Sequence, residues 1–462
     1  MELMKGGGEI EKTTCIFRKI LKYVKEKKMR KSIAILVLIM VFSISIFVFA
    51  EKTVVEFWTT DSEKIRVDVQ EAIAADFMKL HPDIEVKVIP VNEEDIPKKI
   101  ATAKAAGTLP DVARIVPLSL VPGFALEGLL DTKAATAAIT DLGYTTFYKG
   151  ALDLVRSPTG VEGTWAAVPG DGWPQGIWYR KDLFAEKGLA APTSWDTILE
   201  AAKAFYDPTS AMYGIVIGTD PGTPYTQEVF EHFALSNGAT GFDKDGNIVM
   251  NTPEMVETLD YYTKLAAYGP PGACAAREAR QYYIVGQVAM MFYSPYIMDD
   301  LAGLVEEYKV TVSDLAKNTG FVPIIEGPRG IKASFGDLEP LVIFKGADTE
   351  AAIEWVKYLL GPGYLATLFM SPAGKVPVRK TVVDEWLKNK VFSFYDPEVV
   401  ADVAGGMDMI KRWGFMEGNV TPLISAVVGR YLVPIVIDKI LTGDMTPAQA
   451  AAWLQEQTEA LK

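Results

Sequence analysis

The residues whose types and settings could do chemistry are aromatic side chains at strand ends and in loops flanked by Gly, Pro, Asp or Ser. Trp58 closes a β-rich run just before Asp61, and Trp173 stands in Asp171-Gly172-Trp173-Pro174. Tyr225 follows Thr223-Pro224, with Glu228 one helical turn on, and Tyr293 and Tyr296 bracket Ser294-Pro295. Trp413 lies in Lys411-Arg412-Trp413-Gly414-Phe415, while Arg114 and Asp337 are charged residues set against apolar strand segments. Flat rings offer a face to C–H surfaces, and carboxylates accept hydrogen bonds from hydroxyls. A pocket built this way rejects molecules lacking those hydroxyls, because its buried polar groups would go unpaired. Each residue also has a plain structural reading: Trp58 as a cap on the sheet core, Trp173 as loop packing, Glu228 as a solvated helix residue, Arg114 as a surface ion pair. Trp195, Trp355, Trp386 and Trp453 fall within helical patterns and read as packing residues.

Other chemistry has little material. Two histidines, His81 and His232, stand far apart, which leaves nothing for a His-based metal site or a Ser–His–Asp triad. Both read as solvated or capping residues. No Gly-x-x-x-x-Gly-Lys-[ST] loop occurs. Asp243-Lys244-Asp245-Gly246-Asn247 has a faint calcium-loop look, but its glycine is misplaced and a hairpin turn is the better reading. No cofactor or metal is expected. A glycosidase would need two carboxylates about 5–9.5 Å apart, and Asp171, Glu228 and Asp337 are candidates for that alternative. With 462 residues, a net charge of −13 and 49% hydrophobic residues, the chain reads as a globular protein of two or three domains without the basic footprint of a nucleic-acid binder.

The elements needed to hold such residues are legible. Val54, Val55, Phe57 and Trp58 form a strand. A helical spacing then runs through Ile65, Val69, Ile73, Phe77 and Leu80, and Ile84–Ile89 alternates as a strand. Ile96 to Ala106 reads as a helix ended by Gly107, and Asp111 to Val116 as a strand. This order points to a parallel α/β sheet. A second α/β series runs from a strand at Ile177-Trp178-Tyr179, through a helix opened by Thr193 or Ser194, to a strand at Tyr213–Ile217. It continues with a helix at Gln227–Ser236 and a buried strand at Val288–Phe292. Beyond Phe344 the pattern is mostly helical.

Residues 1–50 differ from the rest. They carry ten Lys/Arg against four Glu, then an uncharged run from Ile33 to Phe49 ending at Val48-Phe49-Ala50. This is the pattern of a secretory signal, with Met29 as the natural start and an upstream extension before it. The apolar run is also long enough, at seventeen residues, to serve as an uncleaved anchor. Removing the segment takes the net charge from −13 to −19 and leaves one cysteine, Cys274, so no intramolecular disulfide is expected.

Several segments resemble the extracellular solute-binding proteins of ABC importers, the large family that includes maltose- and other sugar-binding proteins. They are Gly176-Ile177-Trp178-Tyr179-Arg180-Lys181-Asp182-Leu183-Phe184 with Pro192-Thr193-Ser194-Trp195-Asp196, Gly107-Thr108-Leu109-Pro110-Asp111-Val112, and Gly286-Gln287-Val288-Ala289-Met290-Met291 with Ser294-Pro295-Tyr296. Gly374-Lys375-Val376-Pro377-Val378-Arg379 and Leu441 to Ala450 complete the series, and Arg180 departs from the family's usual Asn or Asp. The resemblance implies two α/β lobes, 51–170 plus 335–376 and 171–334 plus 377–462, joined by crossovers near Pro169–Gly172, Phe335–Pro340 and Gly374–Lys380. It implies a sugar or oligosaccharide held in the cleft between them, an ABC permease as partner, a monomeric non-catalytic receptor, and an exported, periplasmic or cell-surface location. Tyr225 and Tyr296 match positions where sugar binders of the family present an aromatic. The implied ligand-binding set is Trp58, Asp61, Arg114, Asp171, Trp173, Tyr225, Glu228, Tyr293, Tyr296, Asp337 and Trp413.

Overall fold

The computed structural model describes residues 18–19, 52–115, 117–416 and 419–462. The expected export segment, residues 1–50, lies almost wholly outside them. Thr53–Lys462 fold as one body. Its strands, in chain order, begin with β1 (Thr53–Thr59), β2 (Ile84–Pro90), β3 (Val112–Arg114), β4 (Val168–Pro174), β5 (Gly176–Arg180), β6 (Tyr213–Val216), β7 (Gly241–Phe242) and β8 (Ile248–Val249). They continue with β9 (Val288–Tyr293), β10 (Thr319–Val322), β11 (Ile325–Glu326), β12 (Lys332–Ile343), β13 (Val376–Pro377), β14 (Ile410–Lys411), β15 (Phe415–Met416) and β16 (Asn419–Val420).

Among the described residues two main sheets form. The larger runs β13-β4-β12-β3-β1-β2, with β11 and β14 also paired to β12; the smaller runs β10-β5-β9-β6. The chain passes from one to the other across Gln175, between β4 and β5. The pattern β1–helix–β2–helix–β3 is parallel as expected. The sheet as a whole is mixed, because β12 returns antiparallel to both β3 and β4.

Local chemistry explains the helices. Ser194 caps the helix Trp195–Phe205 by accepting from the Thr197 backbone, and the Thr197 side chain returns the bond. Gly107 ends the helix Ile96–Ala106 in the left-handed conformation, φ 68°. Each sheet has an aromatic core. Phe57 and Phe77 meet Trp355 edge-on at 5.6 and 5.2 Å, and Phe233 contacts Phe292 at 4.9 Å and Trp195 at 6.0 Å.

The expected crossovers Pro169–Gly172 and Phe335–Pro340 lie in the interior of the strands β4 and β12. Gly172 is required there because a Cβ would collide with the Asp337 carbonyl on β12. The tail is mostly helical, as expected, and its two-residue strands β13 and β14 add to the larger sheet. His232 is neither solvated nor a cap. It is fully buried, hydrogen-bonded to the Ala333 carbonyl at 3.1 Å, and burial lowers its pKa to about 4.

Candidate functional site: an aromatic cleft beside a buried ion cluster

Register assembles the site. Gly176 on β5 pairs with Tyr293 at the end of β9, so Trp173 and Gln175, just before β5, meet Ser294 and Tyr296, just after β9. The helix Pro224–Asn237 delivers Tyr225 and Glu228 from its first turns, its start fixed by Pro224 and by the Thr223 side chain accepting from the Tyr225 backbone. The helix Ala276–Ile284 adds Arg280. Together they line a cavity of about 320 Å³.

The rings are firmly set. Trp173 and Tyr296 meet edge-on at 5.9 Å, and Tyr225 and Tyr293 lie 6.2 Å apart at a tilt. The Tyr225 hydroxyl donates to the Phe292 carbonyl at 2.7 Å, and Arg280 donates to the Tyr293 hydroxyl at 2.7 Å. Arg280 also lies 3.3 Å from Asp300. Glu228 is half-buried at the cavity edge, and burial pushes its carboxyl up to about 7; Arg412 opposes that shift, while Asp337, Glu231 and Glu93 reinforce it. The Gln175 side-chain oxygen is buried with no protein partner, which leaves hydrogen-bonding capacity for a ligand.

Behind the cavity, five ionisable groups are buried together. Arg114 pairs with Asp171, with Glu339 at 3.2 Å and with Asp61 at 3.6 Å. Lys375 reaches Glu339 at 2.6 Å, Asp61 at 3.1 Å and Asp171 at 3.4 Å. Burial pushes Glu339 up to about 7, with Asp171 adding to the rise. Desolvation opposes charge on Arg114 and Lys375, yet the carboxylates outweigh it and both pKa values rise. A buried set like this resists loss of any member, because the remaining charges would be stranded. It joins β3, β4, β12 and the segment before β13, and so ties neighbouring strands of the larger sheet together.

The eleven expected site residues therefore divide. Trp173, Tyr225, Glu228, Tyr293 and Tyr296 share the cavity. Asp61, Arg114 and Asp171 are committed to the ion cluster; Arg114 is neither at the cleft surface nor a surface ion pair, being 1% exposed. Asp337 pairs with Arg412 and caps its neighbour, the Leu338 backbone, at 2.8 Å. Two tryptophans do not line the cavity. Trp58, 4% exposed, donates to Glu56 at 2.6 Å and lies beneath the Lys99 amine. Trp413, 0% exposed, donates to the Ala239 carbonyl at 2.8 Å and packs against Phe230, so it has no free face to offer. Placement at a strand end, for Trp58, or in a Gly-flanked segment, for Trp413, singled them out but did not say which way they face.

Gln175, Arg280, Glu339 and Lys375 were missed. Glu339 and Lys375 carried a signal: each is a lone charge inside an apolar run, Leu338-Glu339-Pro340-Leu341 and Gly374-Lys375-Val376, where burial demands a partner. Arg280, on a polar helix, carried none.

With this geometry in view, comparison with known proteins is decisive. Residues 62–366 match the family model described as bacterial extracellular solute-binding protein. The chain belongs to that family. It is 32% identical over 395 residues, 84% of this chain and 88% of the other, to the putative ABC transporter periplasmic-binding protein YcjN of Escherichia coli strain K12. A mannitol-binding protein of Pseudomonas aeruginosa is 28% identical over 43% of this chain and 44% of its own length. Among solved structures, the cyclic alpha-maltosyl-1,6-maltose binding protein of Arthrobacter globiformis superimposes with a TM-score of 0.70 at 20% identity, covering 89% of this chain and 99% of that one. The solute-binding protein is thus a two-lobed receptor of the kind that serves ABC transporters, with a cleft between hinged α/β lobes.

Proposed function

We propose that this solute-binding protein captures a sugar or a related polyol in the Trp173–Tyr296 cleft and hands it, unchanged, to an ABC permease. The observation that carries this reading is the composition of the cavity wall. Four aromatic rings surround a space of about 320 Å³ whose polar lining includes Gln175, Glu228 and Arg280, with Thr223 and Ser294 beside them. Rings suit the C–H faces of a sugar, and separated acceptors and a donor suit its hydroxyls. That volume is near the low end of small-molecule sites, about 300–1,000 Å³, and favours a compact ligand. Relatives named for binding mannitol and arabinooligosaccharide, and a fold neighbour solved with maltose, support the ligand class.

Capture without turnover is supported by the carboxylates. Of Asp171, Glu228 and Asp337, only Glu228 lines the cavity, whereas Asp171 and Asp337 are engaged by buried cations. The acid–base pair of a glycosidase is therefore not presented to a ligand. The lobes are assigned as 51–170 plus 335–376 and 171–334 plus 377–462, with closure about the crossovers. The protein acts as a monomer, exported by its basic-then-apolar N-terminal segment to the periplasm or cell surface. Among the described residues no helix is long and apolar enough to cross a membrane. The acidic net charge of −13 argues against nucleic acid as a partner.

A thermal-shift panel of mono- and disaccharides and alditols tests the reading. At least one should raise the melting temperature in proportion to its concentration, as ligands that bind only the native state must. No shift with any of them, or release of new reducing ends on incubation, would overturn it.

A further inference from the structure

Arg280 is the one cation lining the cavity among the described residues, and its surroundings are unusual for a ligand-facing guanidinium. Its Nη2 donates to the Tyr293 hydroxyl at 2.7 Å, and its plane sits over the Tyr293 and Tyr308 rings at 5.4 and 4.7 Å. These contacts fix the fork against lateral movement. Its Nε has no aligned acceptor, although Asp300 Oδ2, also without a hydrogen bond, is only 3.3 Å away. Arg280 thus holds a defined position, and its guanidinium carries more N–H groups than the Tyr293 hydroxyl takes up.

Charge decides what it can receive. Asp300 is almost fully buried and already balances Arg280. Burial pushes the Asp300 carboxyl up to about 6, so it is charged at pH 7.5. Glu228 adds a second carboxyl to the same wall, and beyond it Asp337 and Glu231 outnumber Arg412. No unbalanced positive charge faces the cavity. A carboxylated or phosphorylated ligand would lose its hydration without gaining a free counter-charge. A neutral ligand can instead accept from Arg280 while its hydroxyls engage Gln175 and Glu228 in the same cavity.

We infer that Arg280 is a specificity-determining residue, which orients an uncharged polyhydroxylated ligand by donating to one of its oxygens and whose pairing with Asp300 excludes acidic sugars. The inference rests on the proposed sugar-binding role of the cleft.

The test is calorimetric titration at pH 7.5 with neutral probes, maltose, glucose and D-mannitol, beside glucuronate and glucose 6-phosphate. It uses wild type, Arg280→Lys and Tyr293→Phe. The tightest neutral probe should lose about fivefold to a hundredfold in affinity in Arg280→Lys, the range expected when a buried polar group loses its partner. Tyr293→Phe, which frees the fork but keeps it, should lose less. Melting temperatures of both unliganded variants report whether they fold. In wild type, affinity for the neutral probe should hold between low and high salt, and neither acidic sugar should bind as well. An acidic sugar binding more tightly than every neutral probe, or unchanged neutral affinity in both variants, overturns the inference and leaves the receptor role standing. Failure of wild type to bind any probe, neutral or acidic, overturns both.

Discussion

Gly374, in the proposed crossover Gly374–Lys380, packs against the Tyr296 ring of the cavity, and Gly374→Ala tests whether that contact holds the ring in place. The backbone at Gly374 lies against the ring of Tyr296, so an added Cβ would fall inside the van der Waals envelope of its Cδ1, Cε1 and Cζ. Carbon atoms rest about 3.5–4.0 Å apart, so the ring must retreat by roughly 1 Å or more. Lys375 and the ion cluster fix the backbone on one side. Tyr296 is only half-buried, and the space open to it is the cavity itself. Overpacking of this kind costs about 1–3 kcal/mol. Because the ring moves into ligand space, the cost should appear as a fivefold to hundredfold loss of affinity, at about 1.4 kcal/mol per tenfold. The melting temperature without ligand should change little. In a Tyr296→Ala background the ring is gone, and adding Gly374→Ala should cost almost nothing further, a coupling that a double-mutant cycle measures. Equal losses in both backgrounds, or a drop in melting temperature with affinity intact, would refute the reasoning.

Trp173→Ala should weaken binding of the tightest neutral sugar by roughly 1–3 kcal/mol, by analogy with the stacking of flat ligand faces on aromatic rings; calorimetric affinity equal to wild type would remove that ring from the site. Lys375→Met strands three buried carboxylates on Arg114 and should lower stability by about 3–5 kcal/mol in urea unfolding; a loss under 1 kcal/mol would contradict the buried cluster. The Glu339 carboxyl is raised to about 7 in the folded protein. Its contribution is therefore fully present below the ordinary glutamate range and fades as pH rises through about 7. Wild type should accordingly lose stability relative to Glu339→Gln between about pH 5 and 8, and parallel pH profiles would be inconsistent with that shift. Trp413→Ala should cost roughly 3–5 kcal/mol of stability and leave affinity per folded molecule unchanged.

The sequence disclosed periodicity well, because periodicity is local. The helix Lys64–Leu80 and the strand Val288–Tyr293 lie close to where apolar spacing placed them. It disclosed less where long-range pairing decides structure. β4 holds Pro169, Gly170 and Gly172, residues typical of turns, and is a strand only because β12 and β13 flank it. The same holds at the site. Trp173 and Tyr296 were legible as ring-bearing loops, but Trp58 and Trp413 share that signature and differ only in which side chains cover them. Asp61 and Asp171 looked like free acceptors because their cations, Arg114 and Lys375, are distant in sequence. Arg280 had no marker at all, since its importance comes from the Tyr293 and Asp300 side chains it meets beside the smaller sheet.

Small-angle X-ray scattering of the purified protein, with and without saturating amounts of its tightest neutral sugar, tests ligand capture by closure of the cleft most directly. Closure of the lobes should reduce the radius of gyration and change the profile at intermediate angles. Superimposable profiles at saturation would contradict it.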